Sequence, residues 1–166
     1  VRAGSSFGVS RAEEPAQLAP AVEAAFRHDG ESLLEEAIAG FEVGCAVLGN
    51  DVLTVGAVDE IELQSGFFDY TEKYTLKTAQ IHVPARIRPE QSAQIQETAR
   101  TVYRALGCRG FARVDLFLDA QGRIVFNEVN TIPGFTAHSR YPSMMKAAGL
   151  SLQEILTAVI ELAVEP

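Results

Sequence analysis

The chain has 166 residues, 47% hydrophobic and 22% charged, which is enough for one domain with a real core and is the ordinary balance of a globular protein. With 14 basic and 22 acidic side chains the formal charge is −8, which argues against nucleic acid as the main partner. It does not exclude a phosphate ligand, because phosphate needs local donors and a metal rather than a global positive field. Apolar runs such as Leu162-Ala163-Val164 are far too short to span a bilayer, and Val1 to Ser6 carry no apolar leader core. The expectation is a protein of the cytoplasm with no membrane partner, in which Cys45 and Cys108 are buried, reduced thiols.

In chain order, residues 1–8 read as a glycine-bearing loop, and Pro20 to His28 as a helix with Val22, Ala25 and Phe26 on one face. Ser32–Ile38, Phe41–Leu48 and Val52–Val58 read as strands, with turn chemistry at Gly40 and Asn50-Asp51. Residues 62–80 are polar and aromatic without sustained alternation, so a long excursion loop is expected there. Ser92–Leu106 is a helix by the recurrence of Ile95, Ala99, Val102 and Leu106, stopped at Gly107. Phe111–Leu118 and Arg123–Val129 form a hairpin, followed by a polar loop over Asn130–Arg140 and a short helix near Ser143–Ala148. Ser151–Val164 closes the chain as an amphipathic helix with Leu152, Ile155, Leu156, Val159, Ile160 and Ala163 inward, and Ser151 and Glu154 form a capping box. This order of elements predicts an α+β fold, an antiparallel sheet flanked by helices.

The hairpin concentrates the chemistry. With a simple turn, Asp115 lies opposite Phe126 and Arg113 opposite Glu128, which makes Asp115 and Glu128 diagonal neighbours on one face. Val114, Leu116, Leu118 and Val125 then form the core face. Asn130 follows two residues after Glu128. Two carboxylates and an amide oxygen suit Mg²⁺, which prefers hard oxygen ligands and leaves positions for phosphate oxygens. A solvated, salt-bridged outer face accounts for the same pattern, and a one-residue bulge would spoil the geometry. Gly4-Ser5-Ser6-Phe7-Gly8 allows close backbone approach to a phosphate, or is a plain turn. Thr131 to Thr136 forms a second glycine-bearing loop, suited to an oxyanion or to an ordinary turn.

Several short motifs occur together, in order and at matching spacing. They are Gly4-Ser5-Ser6-Phe7-Gly8, Glu72-Lys73-Tyr74, Leu106-Gly107-Cys108-Arg109-Gly110, Arg113-Val114-Asp115 and the run from Asn127 through Pro133-Gly134-Phe135-Thr136. In this the chain resembles the D-alanine–D-alanine ligases of the ATP-grasp fold from residue 1 to about residue 164. Ser139-Arg140-Tyr141-Pro142 looks closest to the vancomycin-resistance branch.

The resemblance implies that ATP phosphorylates a first D-alanine and that a second D-amino acid attacks the acyl phosphate, for cell-wall precursor synthesis. It implies Mg²⁺ or Mn²⁺ on Asp115, Glu128 and Asn130. Glu35, Glu42 and Lys73 fall in the nucleotide pocket, and Arg113 with the Gly134 backbone at the tetrahedral intermediate. Ser5 and Tyr74 belong to a hydrogen-bonded triad, and Ser139 and Arg140 lie at the second substrate. Tyr74, where lactate-using members carry a histidine, points to D-alanine or D-serine. It implies further that residues 1–166 are the C-terminal ATP-grasp domain of a longer enzyme, a homodimer when complete. The N-terminal half, which holds the first D-alanine, is absent, so the fragment alone is expected to be inactive. The competing expectation is a non-catalytic nucleotide-binding or remnant ATP-grasp module.

Overall fold

The computed structural model describes residues 6–63, 79–136 and 138–165. It divides into two compact units, Val1–Ile38 with Leu63–Gln80, and Ala39–Glu62 with Ile81–Pro166. In the first unit the one helix among the described residues is α1 (Pro15–Ala25). It starts five residues earlier than the apolar pattern suggests. Pro15 sits in the first turn, where a missing N–H costs nothing, and Pro20 lies inside. The expected strand over residues 32–38 does not form, and Leu33 and Leu34 stand 66% and 62% exposed. Apolar content alone does not make a strand.

The second unit is built on an antiparallel sheet of β1 (Gly40–Leu48), β2 (Thr54–Leu63), β3 (Ala79–His82), β4 (Phe111–Asp119) and β5 (Ile124–Asn130), in the order β3-β2-β1-β4-β5. Leu63, Ala79 and Gln80, at strand ends, fall in the first unit. Among the described residues, the second unit's helices are α2 (Pro89–Ala105), α3 (Arg140–Ala147) and α4 (Leu152–Val164). The predicted α+β class is observed.

Central β1 reads as a nearly continuous apolar run because both of its faces are covered. Val43, Cys45 and Val47 join Val58, Val114, Leu116 and Leu118 beneath Ile95, Ala99 and Tyr103 of α2. Ala46 and Leu48 join the other core, under Tyr141, Met144 and Met145 of α3 and Ile155 of α4. α2 ends in a Schellman motif: the Cys108 amide donates to the Tyr103 carbonyl and the Gly107 amide to Arg104, with Gly107 at φ 64°. Leu106, expected inward, is exposed, since the buried stripe turns to Tyr103. Tyr103 is held there by its hydroxyl, which donates to the Gly49 carbonyl. On α4 the inward side is Ile155, Ala158, Val159 and Leu162, whereas Leu156 and Ile160, also expected inward, are exposed. Ser151 caps α4 as expected, its Oγ accepting from the Glu154 amide while Glu154 accepts from the Ser151 amide. Both cysteines are free; Cys45 is buried and Cys108 only partly so, because Cys108 lies just past the end of α2. Among the described residues no single helix is long and apolar enough to cross a membrane.

Candidate active site

The β4–β5 hairpin departs from the simple register twice. Beyond the Leu118–Ile124 pair the Asp119 amide donates to the Arg123 carbonyl at 3.1 Å, so a three-residue turn, Ala120-Gln121-Gly122 with Gly122 at φ 83°, replaces the expected four-residue one. The Asp119 carboxylate holds it, Oδ1 accepting from the amides of Gln121 and Arg123, and Oδ2 pairing with the Arg123 side chain at 3.0 Å. That offset alone would turn Glu128 toward the core face. A bulge at Asn127 adds a second one-residue offset and turns it back. Asp115 therefore lies directly across from Glu128, and Arg113 from Asn130, instead of the diagonal arrangement expected. The bulge completes the arrangement that it was expected to spoil. Opposite Val114, Leu116 and Leu118 stand Val129, Phe126 and Ile124, while Val125 pairs with Phe117 on the polar face rather than in the core.

Asp115 is fully buried and shares its oxygens among three residues. Arg113 Nε donates to Oδ1 at 2.7 Å and Arg113 Nη2 to Oδ2 at 2.7 Å, a forked pair. Asn130 Nδ2 donates to Asp115 Oδ2 at 3.0 Å and to Glu128 Oε1 at 3.3 Å, bridging the two carboxylates. Burial pushes the Asp115 carboxyl upward, but the Arg140 charge, the Arg113 pair and the Asn130 amide outweigh it and hold it below the ordinary aspartate range. Asp115 is thus an anion at neutral pH.

The same row of the sheet continues through β1 and β2. Gly44 pairs with Asp115 on one side and with Asp59 on the other. A side chain at Gly44 would place its Cβ 2.5 Å from Arg140 Nη2 and 3.0 Å from Asp115 Oδ1, so the glycine leaves a gap that the Arg140 guanidinium fills. All three nitrogens of that guanidinium meet carboxylates. Nε donates to Asp59 Oδ2 at 2.7 Å, Nη2 to Asp59 Oδ1 at 2.8 Å, and Nη1 to Glu42 Oε1 at 3.0 Å. Nη2 also lies 3.4 Å from Asp115 Oδ1. Burial opposes the Arg140 charge, but Asp59, Asp115 and Glu42 hold its pKa above the usual arginine value.

Arg140 is the first residue of α3, and Ser139 before it closes the preceding loop. Ser139 Oγ accepts from the Thr136 amide at 3.0 Å and lies 2.9 Å from the Thr136 hydroxyl. A Cβ at Gly134 would stand 2.8 Å from Ser139 Oγ, so the loop closes this tightly only on a glycine. The fold thus brings Arg113, Asp115, Glu128, Asn130, Glu42 and Arg140 into one network, and Gly134 beside Ser139. Glu35 lies in an exposed irregular segment of the first unit. Ser5, Lys73 and Tyr74 lie outside the described residues. Asp59 was not singled out in the sequence, although Val58-Asp59-Glu60-Ile61-Glu62 puts acids on both faces of one strand. That pattern requires cations on both sides, and Arg86 supplies the other, its Nη2 lying 2.6 Å from Glu60 Oε1.

Among the described residues no three His, Cys, Asp or Glu side chains converge as a metal cage. The hairpin instead offers two carboxylates and one amide, and half a turn of the Asn130 amide would present its oxygen beside both. This donor set fits a hard divalent cation that keeps positions for phosphate.

Residues 1–161 match the family described as D-ala D-ala ligase C-terminus. The chain belongs to the D-alanine–D-alanine ligase family. It is similar to the vancomycin B-type resistance protein VanB of Enterococcus faecalis, with 53% identity over 99% of the chain and 49% of that relative. It is also similar to a D-alanine–D-alanine ligase of Chlorobium phaeovibrioides, with 47% identity over 98% of the chain and 45% of that relative. Among solved structures, VanG D-Ala:D-Ser ligase from Enterococcus faecalis superposes with a TM-score of 0.88 at 63% identity, over 97% of the chain and 47% of that structure. The chain spans about half the length of the curated relatives it matches. The ligase likeness confirms the ATP-grasp fold expected from the sequence motifs, and use of ATP with a divalent metal is consistent with the family.

Proposed function

We propose that this chain carries the metal- and phosphate-handling half of a ligase that joins D-alanine to D-serine or a second D-alanine through an acyl phosphate. The observation that carries the reading is the placement of Asp115 directly across from Glu128, bridged by Asn130 and flanked by Arg113. A carboxylate is a poor electrophile, and phosphorylation gives it a leaving group. In this reading Asp115, Glu128 and Asn130 hold Mg²⁺ or Mn²⁺, which offsets the repulsion between ATP and the substrate carboxylate. Arg113 and the Gly134 backbone face the charge that develops on the tetrahedral intermediate. Glu35, Glu42 and Lys73 are the proposed nucleotide contacts, and Ser5 and Tyr74 the proposed triad members. Ser139 and Arg140 are the proposed contacts of the second substrate, with Ser139 at its carboxylate. The complete enzyme, a homodimer in this reading, supplies the first D-alanine's contacts from another part of its chain and works where ATP is, in the cytoplasm.

Phosphate release by the full-length protein, with ATP, Mg²⁺ and D-alanine, tests the claim. Amino-acid-dependent turnover is expected, and its absence would sink the reading. Asp115→Ala or Glu128→Ala lowers that turnover at least about 100-fold if the two hold the metal. The 166-residue chain alone, run as a control, is expected to show no ligation. Product analysis with D-alanine, D-serine and D-lactate fixes the second substrate; a predominant ester product would overturn the amino-acid assignment. The likeness to VanG, a D-Ala:D-Ser ligase, supports D-serine as the first compound to try.

A further inference from the structure

Asp59 has no role in the proposed function, yet it is fully buried on β2, beside the central strand. Both its oxygens are taken by Arg140, at 2.7 and 2.8 Å, whereas the same guanidinium stands 3.4 Å from Asp115. The two aspartates flank Gly44 symmetrically, one on β2 and one on β4, and the guanidinium enters the gap between them. Its charge is therefore committed first to Asp59, then to Glu42 through Nη1 at 3.0 Å, and only last to Asp115. A carboxylate already forked by Arg113 would be a poor cation ligand if a second guanidinium closed on it to full hydrogen-bond distance.

We propose that Asp59 is a positioning residue for Asp115: it holds Arg140 in the Gly44 gap and keeps that charge from closing on the carboxylate that meets the divalent cation. This inference rests on the metal reading of the hairpin, and it assigns Asp59 no contact with substrate. Neutralising Asp59 leaves Arg140 with Asp115 and Glu42 as its remaining carboxylates, so Arg140 moves toward Asp115 and competes with the metal. Removing Arg140 and Asp59 together takes away an ion pair with no change in net charge and relieves that competition.

Mn²⁺ binding to the full-length protein in the presence of a non-hydrolysable ATP analogue, followed by electron paramagnetic resonance, reads this directly. D59N is expected to weaken Mn²⁺ binding about tenfold. The double variant R140M/D59N is expected to bind within about threefold of the parent. It keeps the test open if D59N folds poorly, with circular dichroism as the check on folding. Parent-like binding by D59N, or lost binding by a well-folded double variant, would overturn the inference. D115N separates the two levels of the argument. If it abolishes Mn²⁺ binding while D59N leaves it unchanged, the metal reading stands and the role of Asp59 falls. If D115N binds as the parent does, both fall.

Discussion

Side chains on β2 show how far a single residue can be read in isolation. Glu60 is nearly buried, and Arg86 meets it through a forked pair and through its own backbone amide at 2.8 Å. The Arg86 side-chain bonds, against an opposing effect of burial, lower the Glu60 pKa from its ordinary value. A carboxyl with a depressed folded-state pKa contributes stability that is fully present above the unfolded value, about 4.3, and is lost as pH falls through the folded one. Glu60→Gln is therefore expected to cost about 1–2 kcal/mol at neutral pH, and urea titrations should find the gap between variant and parent closing on the order of pH 4 and below. A gap independent of pH would refute the assignment. The acids of this strand were visible in the sequence, but their cations were not. Arg86 and Arg140 lie 26 and 81 residues from Glu60 and Asp59, and nothing in local spacing couples them.

Elements were legible where their signals are local. The capping box of α4 is one case, because Ser151 and Glu154 satisfy each other's amides within three residues. Ser151→Ala should lower stability by about 1 kcal/mol, read as a shift in the urea midpoint at constant slope. The hairpin is the contrary case. Its shared face of Arg113, Asp115 and Glu128 was foreseen, whereas its partners were not, since two one-residue offsets had to be known together. Gly122 marks the first to a reader who assumes a left-handed turn residue. Nothing at Asn127 announces the second. The stretch around Leu33 and Leu34 is irregular and exposed although its composition is apolar, because apolar content by itself does not set strand formation. In α4 the inward face was misplaced because apolar residues surround most of the helix, leaving Leu156, Ile160 and Val164 exposed beside the buried Ile155.

For the molecule as a whole, the α+β class and the antiparallel sheet followed from the order of elements, and the family from motifs spread along the chain. The site residues that came together are those mounted on the sheet or on the loop into α3. The row Asp59–Gly44–Asp115–Glu128 draws one position from each of four strands, and Arg140 enters it from a helix that follows them all. Contacts of such long sequence separation form late and together, because the cost of closing the intervening loops precedes any return from them. Denaturant titrations of the full-length protein should find Mn²⁺ release and loss of sheet signal at the same midpoint; release well before the sheet melts would show that the row can come apart locally. The placement also bears on quality control in the cell. A copy with one strand misplaced keeps no weakened version of this row, since each strand supplies a different part of it. With the row holding a divalent metal as proposed, metal binding would report a finished sheet, and a misassembled copy would be inert.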